Sequence, residues 1–328
     1  MTEPLKLLTV GTSWITESFL ESAVAAGFGH FAAYSRTEEK ARAFAEKHGA
    51  KKIFTSLEEA AACPEIDCVY IASPNVFHFP QAKLFLEHAK HVIVEKPICT
   101  YPEQIEELYR IADENGVIVC EALMPQHVPA LQTVRAALPE LGVIRSVQLD
   151  YSQLSSKYAG YLRGEKQNIF QPEMQAGCLQ DLGVYAVSVA YLLFGSPVGV
   201  KADAVMLPTG ADAAFSAILS YPDKTVTISC SKTAQTRAPS QILGDRGAIL
   251  IESVSQLTGI RLIANDGGER VLEEIPSRFE VMKCEAEDFY AYILGLPARV
   301  PYKEARAASL RVSEIMRKIR LSAGNFAF

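Results

Sequence analysis

The sequence predicts an α/β protein with two domains: an N-terminal Rossmann domain on a doubly wound parallel sheet, then a C-terminal α+β domain. The chain has 328 residues, which suits two domains of roughly 100–200 residues each. Short apolar runs alternate with amphipathic stretches over the first 120 residues, as in β–α units around a parallel sheet. Beyond residue 125, turn signals separate short strands, which favours a large, mostly antiparallel sheet.

The first domain, placed at residues 1–123, is predicted to alternate strands with helices. The strands are predicted at residues 5–10, 30–34, 51–54, 68–72, 91–94 and 117–120. The helices are predicted at residues 15–26, 38–48, 57–62, 80–89 and 102–115. Pro102 and Asn115-Gly116 give the last of these helices a typical start and stop.

The second domain, placed at residues 124–328, is predicted to combine helices with one large sheet. Its helices are predicted at residues 129–138, 179–194, 283–294 and 302–321. One strand is predicted at 143–153, and further short strands between 198 and 275 are separated by turn signals at 221–224, 244–247 and 265–268.

The composition argues against several classes of protein. Acidic residues outnumber Lys plus Arg by 38 to 32, a net charge of −6 without like-charge runs, so neither nucleic acid nor a membrane is an expected partner. No continuous apolar run reaches the ~18 residues of a membrane span, and the N-terminal segment lacks a signal-peptide pattern, which predicts a cytoplasmic protein. The seven cysteines are scattered and never form C-x-x-C, so neither a disulfide framework nor a metal site is expected.

The segment after the first strand is a candidate dinucleotide loop. Gly11 holds the first position of a G-x-G-x-x-G/A fingerprint, whose glycines let the backbone approach a pyrophosphate at a helix N-terminus. Ser13 and Thr16 replace the other two small residues, so the match is degenerate and a plain strand-to-helix turn is the alternative. The loop residues expected to bind the cofactor are Gly11, Thr12, Ser13, Trp14 and Ile15.

The end of the second strand indicates which nucleotide is bound. A carboxylate there would bind the ribose 2′-hydroxyl of NAD, whereas an arginine accommodates the 2′-phosphate of NADP. Ser35 and Arg36 occupy this position, and the first carboxylate is Glu38. The sequence therefore favours NADP, with NAD as the other candidate. The alternative role for Arg36 is that of an exposed residue at the start of the next helix.

A Glu-Lys-Pro segment follows the fifth strand. Ligands of doubly wound sheets bind beyond the carboxyl ends of the strands, so Lys96 would bring an ammonium group to the ligand site. A surface ion pair between Glu95 and Lys96 is the alternative.

Three separated motifs occur in order along the chain. They are Ala72-Ser73-Pro74-Asn75 with His78, His91-Val92 leading into Glu95-Lys96-Pro97, and Gly177-Cys178-Leu179-Gln180-Asp181-Leu182-Gly183-Val184-Tyr185. Together they resemble the Gfo/Idh/MocA family, which includes glucose-fructose oxidoreductase and inositol dehydrogenase. Residues 170–174 and Glu121-Ala122 are more similar to the dimeric dihydrodiol dehydrogenase branch of that family.

The resemblance implies that the first domain binds NAD(P) and that hydride is exchanged with a secondary alcohol or ketone carbon of a sugar, polyol or related diol. It implies that Lys96 orients the reacting oxygen, and that Asp181 and Tyr185 hold the acidic and acid/base positions. The other residues it places at the cofactor are Ser73, Pro74, Asn75, His78, Glu95 and Lys96 itself. It also implies a homodimer or homotetramer formed through the C-terminal sheet. Some members bind nucleotide without catalysis, so a sensor or regulatory protein is the alternative.

The chemistry of Asp181 and Tyr185 agrees with proton transfer. Residues four apart share one face of a helix. Oxidation of a carbinol needs a base for the hydroxyl proton, and all six histidines lie within the first 127 residues. A phenol has a reference pKa of about 10, which a nearby ammonium such as that of Lys96 would lower. The alternative is that Tyr185 simply packs in an apolar helix.

Overall fold

The computed structural model describes residues 3–328, which form two compact units. The first unit holds the chain up to Leu123 together with Ser277–Ser309, and the second holds Met124–Pro276 together with Leu310–Phe328. A segment from near the C-terminus thus packs with the half that contains the predicted Rossmann sheet. The division into functional domains at residue 123 stays a prediction.

The first unit is built on a six-stranded parallel sheet with the strand order β3-β2-β1-β4-β5-β6. Its strands are β1 (Leu5–Val10), β2 (Phe28–Tyr34), β3 (Lys52–Phe54), β4 (Cys68–Ile71), β5 (His91–Glu95) and β6 (Val119–Ala122). All four residues of β4 are buried, as expected for a central parallel strand. The strand order reverses between β1 and β4, so the sheet is doubly wound and the predicted Rossmann fold is confirmed.

Five helices alternate with these strands. They are α1 (Trp14–Ala26), α2 (Glu38–His48), α3 (Leu57–Ala62), α4 (His78–Glu87) and α5 (Pro102–Asn115). A single 3₁₀ turn, Asn75–Phe77, precedes α4. Gly49 and Gly116 adopt the left-handed conformation directly after α2 and α5, which ends both helices at the predicted residues.

The second unit is built on an eight-stranded sheet with the strand order β14-β13-β12-β11-β7-β10-β9-β8. Its helices are α6 (Met124–His127), α7 (Ala130–Ala137), α8 (Tyr158–Leu162) and α9 (Val184–Phe194). Its strands are β7 (Ile144–Ser152), β8 (Gly199–Met206), β9 (Asp212–Ser220), β10 (Thr225–Ser231), β11 (Ser240–Gly244), β12 (Gly247–Ser253), β13 (Thr258–Ala264) and β14 (Glu269–Glu273). Strands β7 and β10 are parallel and the other paired strands are antiparallel, which confirms the mostly antiparallel sheet.

The helical stretch Pro172–Phe194 is long and apolar enough, by length and composition alone, to cross a membrane. Its most apolar window has a mean hydropathy of 1.4 and is 72% buried within the protein. The stretch contains the polar residues Gln180 and Asp181, which is why the sequence shows no continuous apolar run there. A buried core helix meets the same criterion, so this stretch is weak evidence for a span.

Two helices close the chain, α10 (Arg278–Leu294) and α11 (Tyr302–Ala323). Helix α10 begins earlier than predicted, because Ser277 and Glu280 form a reciprocal capping box at its N-terminus. It packs on α1, where the rings of Phe289 and Phe19 lie 6.4 Å apart. Helix α10 therefore lies on the same side of the parallel sheet as α1.

Candidate active site

The loop after β1 begins with a glycine that its backbone conformation requires. Gly11 has a φ of +115°, and a Cβ at this position would lie 2.9 Å from the carbonyl oxygen of Ala72 after β4. Ser13 is the N-cap residue of α1, but its side chain caps no backbone N–H and instead lies 3.3 Å from the Thr16 hydroxyl. The first N–H groups of α1 therefore lack a side-chain cap. Binding of a phosphate by these groups stays a prediction.

Two of the residues predicted to bind the cofactor, Trp14 and Arg36, have exposed side chains. Trp14, the chain's one tryptophan, is 63% exposed, and the guanidinium carbon of Arg278 lies 5.2 Å from the centre of its ring. Trp14 is therefore not a core residue. Arg36 is exposed at the end of β2 and precedes Thr37, the N-cap residue of α2.

The loops after β4 and β5 are joined by His78, a fully buried residue. Its Nδ1 lies 2.9 Å from the carbonyl oxygen of Pro97, and its Nε2 lies 2.8 Å from that of Ser73. Burial lowers the pKa of His78, and these two backbone contacts oppose that shift. The ring therefore holds the two loops together. Direct contact of Ser73, Pro74, Asn75 or His78 with nucleotide stays a prediction.

Glu95 is buried, with 8% of its surface exposed, so it is not a surface residue. The Tyr70 hydroxyl donates to Oε1 of Glu95 at 2.5 Å, and the Lys96 N–H donates to Oε2 at 3.2 Å. Burial raises the pKa of Glu95, whereas the Lys96 ammonium opposes this shift. Glu95 thus supports the backbone that carries Lys96, which is half-buried at the carboxyl end of β5.

Two further buried carboxyl groups of the first unit surround this segment. Oε1 of Glu121, in β6, accepts a 3.0 Å hydrogen bond from the Ile98 N–H. Glu285, in α10, is 1% exposed; burial and the nearby charge of Glu95 raise its pKa well above the usual value. Glu121 interrupts an apolar strand, so the sequence does contain a signal for this buried carboxyl group. Glu285 lies in an ordinary amphipathic helix and gives no such signal.

In the second unit, the Asp181 and Tyr185 motif begins with a π-helical turn, Leu179–Gly183, that continues into α9. A π turn holds slightly more than four residues, so positions 181 and 185 still lie on one side of the helix. Tyr185 is buried, and its ring meets that of Tyr151 edge-on at 5.7 Å. Asp181 is 29% exposed and forms an ion pair with Lys232, which follows β10.

Asp212, at the start of β9, fixes the beginning of the π turn. Its Oδ2 accepts a 2.6 Å hydrogen bond from the Leu179 N–H. Gly177 lies so close to Oδ1 of Asp212 that a Cβ at residue 177 would overlap it. Burial raises the pKa of Asp212 to about 6, while the Leu179 N–H and the charge of Lys232 oppose the shift.

The structure thus brings the predicted residues together in two groups, one in each unit. Residues 11–15, 73–78 and 95–96 share the carboxyl edge of the parallel sheet, and Asp181 and Tyr185 share one helix face. Sequence reasoning missed Lys232 and Asp212, each next to a strand end but far from the motif in sequence. Among residues 3–328, no three His, Cys, Asp or Glu side chains cluster as metal ligands.

Comparisons with known proteins match both halves of the chain. Residues 5–123 match the model of the oxidoreductase family with an NAD-binding Rossmann fold, and residues 131–250 match the GFO/IDH/MocA C-terminal domain. The chain is 38% identical to scyllo-inositol 2-dehydrogenase (NADP(+)) IolU of Bacillus subtilis (strain 168), over 88% of each chain. It is 28% identical to trans-1,2-dihydrobenzene-1,2-diol dehydrogenase of Xenopus tropicalis, over 67% of this chain and 66% of that protein.

A solved structure of levoglucosan dehydrogenase with NADH and levoglucosan has the same fold. Its TM-score is 0.84 at 19% sequence identity, over 98% of this chain and 97% of that chain.

Proposed function

This chain belongs to the Gfo/Idh/MocA family of NAD(P)-dependent oxidoreductases, and on that premise we propose that its substrate is a sugar, polyol or related diol. Hydride would pass between nicotinamide and a secondary alcohol or ketone carbon, with NADP preferred over NAD. Support comes from the inositol and dihydrodiol dehydrogenases among its relatives.

One observation carries the proposal: three predicted loops meet at the carboxyl edge of the first unit's sheet, where its strand order reverses. Gly11 packs against the carbonyl group of Ala72, and His78 joins the loop after β4 to the loop after β5. Ligands of doubly wound sheets bind at this reversal. Lys96 belongs to the same edge.

The cofactor would be held mainly by loop backbone. Residues 11–15 would receive the pyrophosphate, and Ser35 and Arg36 the ribose and its 2′-phosphate. Residues 73–75 and Glu95 would border the nicotinamide side. When bound, the nicotinamide dinucleotide supplies the hydride acceptor or donor.

The chain's own side chains would manage the proton and the charge on the reacting oxygen. The Lys96 ammonium would orient that oxygen and stabilise its developing negative charge. Tyr185 would accept the hydroxyl proton during oxidation and return it during reduction, and Asp181 would set the charge beside it. Because Tyr185 is buried and meets Tyr151 edge-on, its phenol is held in a fixed orientation.

Steady-state kinetics with NADP and NAD against a panel of inositols, sugars and diols tests this function. We expect turnover on a vicinal diol or polyol, and Lys96→Met and Tyr185→Phe should each lower kcat by about 10²–10⁴-fold with NADPH affinity retained. Lys40→Met changes an exposed residue of α2, so it is the control and should leave kcat unchanged. NADPH binding without turnover across the panel would instead support a nucleotide sensor.

We also propose a cytoplasmic homodimer or homotetramer formed through the outward face of the eight-stranded sheet. One row across this face pairs Thr227 with Gln148 and with Ile218, while the flanking Val226 and Ile228 are buried. An open face of uncharged polar and apolar side chains suits a flat interface. Thr227→Arg should yield a monomer in size-exclusion chromatography with light scattering; a wild-type monomer at micromolar concentration would refute the assembly.

A further inference from the structure

A buried lysine outside the three motifs contacts Asp181 of the proposed proton-transfer pair. Lys232 directly follows β10, and its N–H donates a 2.8 Å hydrogen bond to the carbonyl oxygen of Ala213. Its side chain is 5% exposed, and its ammonium pairs with Oδ2 of Asp181. The two residues are 51 positions apart, so the pair is a product of the fold.

The adjacent strands β9 and β10 fix both partners of this ion pair. Asp212, next to Ala213, accepts the Leu179 N–H and so holds the start of the π turn that carries Asp181. Lys232 then holds the Asp181 carboxylate itself. The same strand ends therefore set both the backbone and the side chain of the motif.

Burial of an ammonium group is expensive unless a partner and hydrogen bonds compensate it. The described charged groups around Lys232 are Asp181 and Asp212. The charge of Lys232 also opposes the rise that burial causes in the pKa of the Cys178 thiol. A hydrophobic side chain would satisfy the packing at lower cost, so stability alone gives a weak reason for lysine here.

We propose that Lys232 is a positioning residue for proton transfer, which holds Asp181 ionised and in one orientation beside Tyr185. The inference rests on the proposed function, because it assigns Lys232 a role only through Asp181 and Tyr185. Lys232 itself exchanges no proton with substrate. Its ammonium group balances the negative charge of Asp181.

The test compares Lys232→Met, Lys232→Arg, Asp181→Asn and the double variant Lys232→Met/Asp181→Asn. Lys232→Met should lower kcat by about 10–100-fold and leave the NADPH Kd within about 2-fold. The acid limb of this variant's kcat–pH profile should move to higher pH, because loss of the ammonium destabilises ionised Asp181. Lys232→Arg should recover most of kcat, and in the Asp181→Asn background Lys232→Met should have little further effect.

Lys224→Met is the matched control, since Lys224 is an ion-paired lysine of the same unit whose partner, Asp223, lies in a turn. It should leave kcat and the pH profile unchanged. The inference is overturned if Lys232→Met keeps the wild-type kcat and pH profile. It is also overturned if Lys232→Met lowers kcat as much in the Asp181→Asn background as in the wild type. If Asp181→Asn and Tyr185→Phe retain full turnover, the assigned catalytic pair itself is wrong. A poorly folded Lys232→Met leaves the decision to Lys232→Arg, whose acid limb must match that of the wild type.

Discussion

The hydroxyl of Tyr70 donates a 2.5 Å hydrogen bond to Oε1 of Glu95, and both side chains are buried in the first unit. The Tyr70 ring also stacks on Phe19, with ring centres 3.9 Å apart. The aromatic core under β4 and α1 therefore fixes a donor for the carboxyl group that supports Lys96. Loss of this hydrogen bond would therefore affect the Lys96 segment of the candidate active site, although Tyr70 itself lies in the core.

Tyr70→Phe tests this relationship, because it removes the donor and keeps the stacked ring. We expect the free energy of unfolding at pH 8 to fall by about 1–3 kcal/mol, since a buried carboxylate oxygen loses its partner. The loss should shrink at pH 5, because removal of the donor raises the pKa of Glu95 further and favours its protonated form. Urea denaturation at both pH values measures it. Tyr161→Phe, on α8, should change stability by less than about 0.5 kcal/mol.

Gly11→Ala should weaken cofactor binding more than an ordinary glycine substitution does. The φ of +115° and the 2.9 Å approach to Ala72 leave no room for a Cβ, so the loop must shift. We expect the NADPH Kd to rise at least about 10-fold, with a stability loss of about 1–3 kcal/mol. Fluorescence of Trp14, the one tryptophan, gives the binding curve.

Gly49→Ala is the control for the Gly11 experiment. Gly49 also has a positive φ, +73°, but a Cβ there meets nothing within 4 Å. It should lose about 1 kcal/mol of stability and keep the wild-type Kd. Equal Kd values for both variants would mean that the loop after β1 does not approach the nucleotide.

Arg36→Ala should separate the two nucleotides. Arg36 is exposed, and no ion pair of its guanidinium occurs within residues 3–328, so its charge is available for a 2′-phosphate. We expect the Kd for NADPH to rise about 10–100-fold and that for NADH to change less than about 2-fold. Arg42→Ala removes an arginine already paired with Glu38 and should affect neither nucleotide. Parallel losses for both nucleotides would reject the NADP preference.

The sequence predicted the parallel sheet well, because buried parallel strands are short apolar runs with clear breaks. Helix α2 matches its predicted bounds, since Gly49 marks its end locally. Helix α10 was predicted five residues short, because its start depends on the Ser277 capping box. The π turn at residues 179–183 has no periodicity signal that separates it from an α-helix.

Candidate site residues could be proposed from the sequence where they lie in local motifs. Lys96, Asp181 and Tyr185 each belong to a short pattern at the end of a strand or the start of a helix. The partners of these residues were not predictable, because Lys232 lies 51 positions from Asp181 and Glu285 reaches Glu95 from a helix near the C-terminus. Such pairs depend on strand order and helix packing, which local sequence does not encode.

Asp212 should make the second unit more stable in mild acid than at neutral pH. Its pKa is raised to about 6 by burial, so the folded state binds this proton more tightly than the unfolded chain does. The resulting stabilisation is present below about pH 4 and is lost as the pH rises through 6. Asp212→Asn removes the titration while keeping an oxygen that can accept the Leu179 N–H. The variant's free energy of unfolding, relative to wild type, should therefore rise by up to about 3 kcal/mol between pH 4 and pH 7.5. Guanidinium titrations across this range measure the difference, with exposed Asp203→Asn as the control. A pH-independent difference for Asp212→Asn would show that folding does not raise the pKa of this carboxyl group.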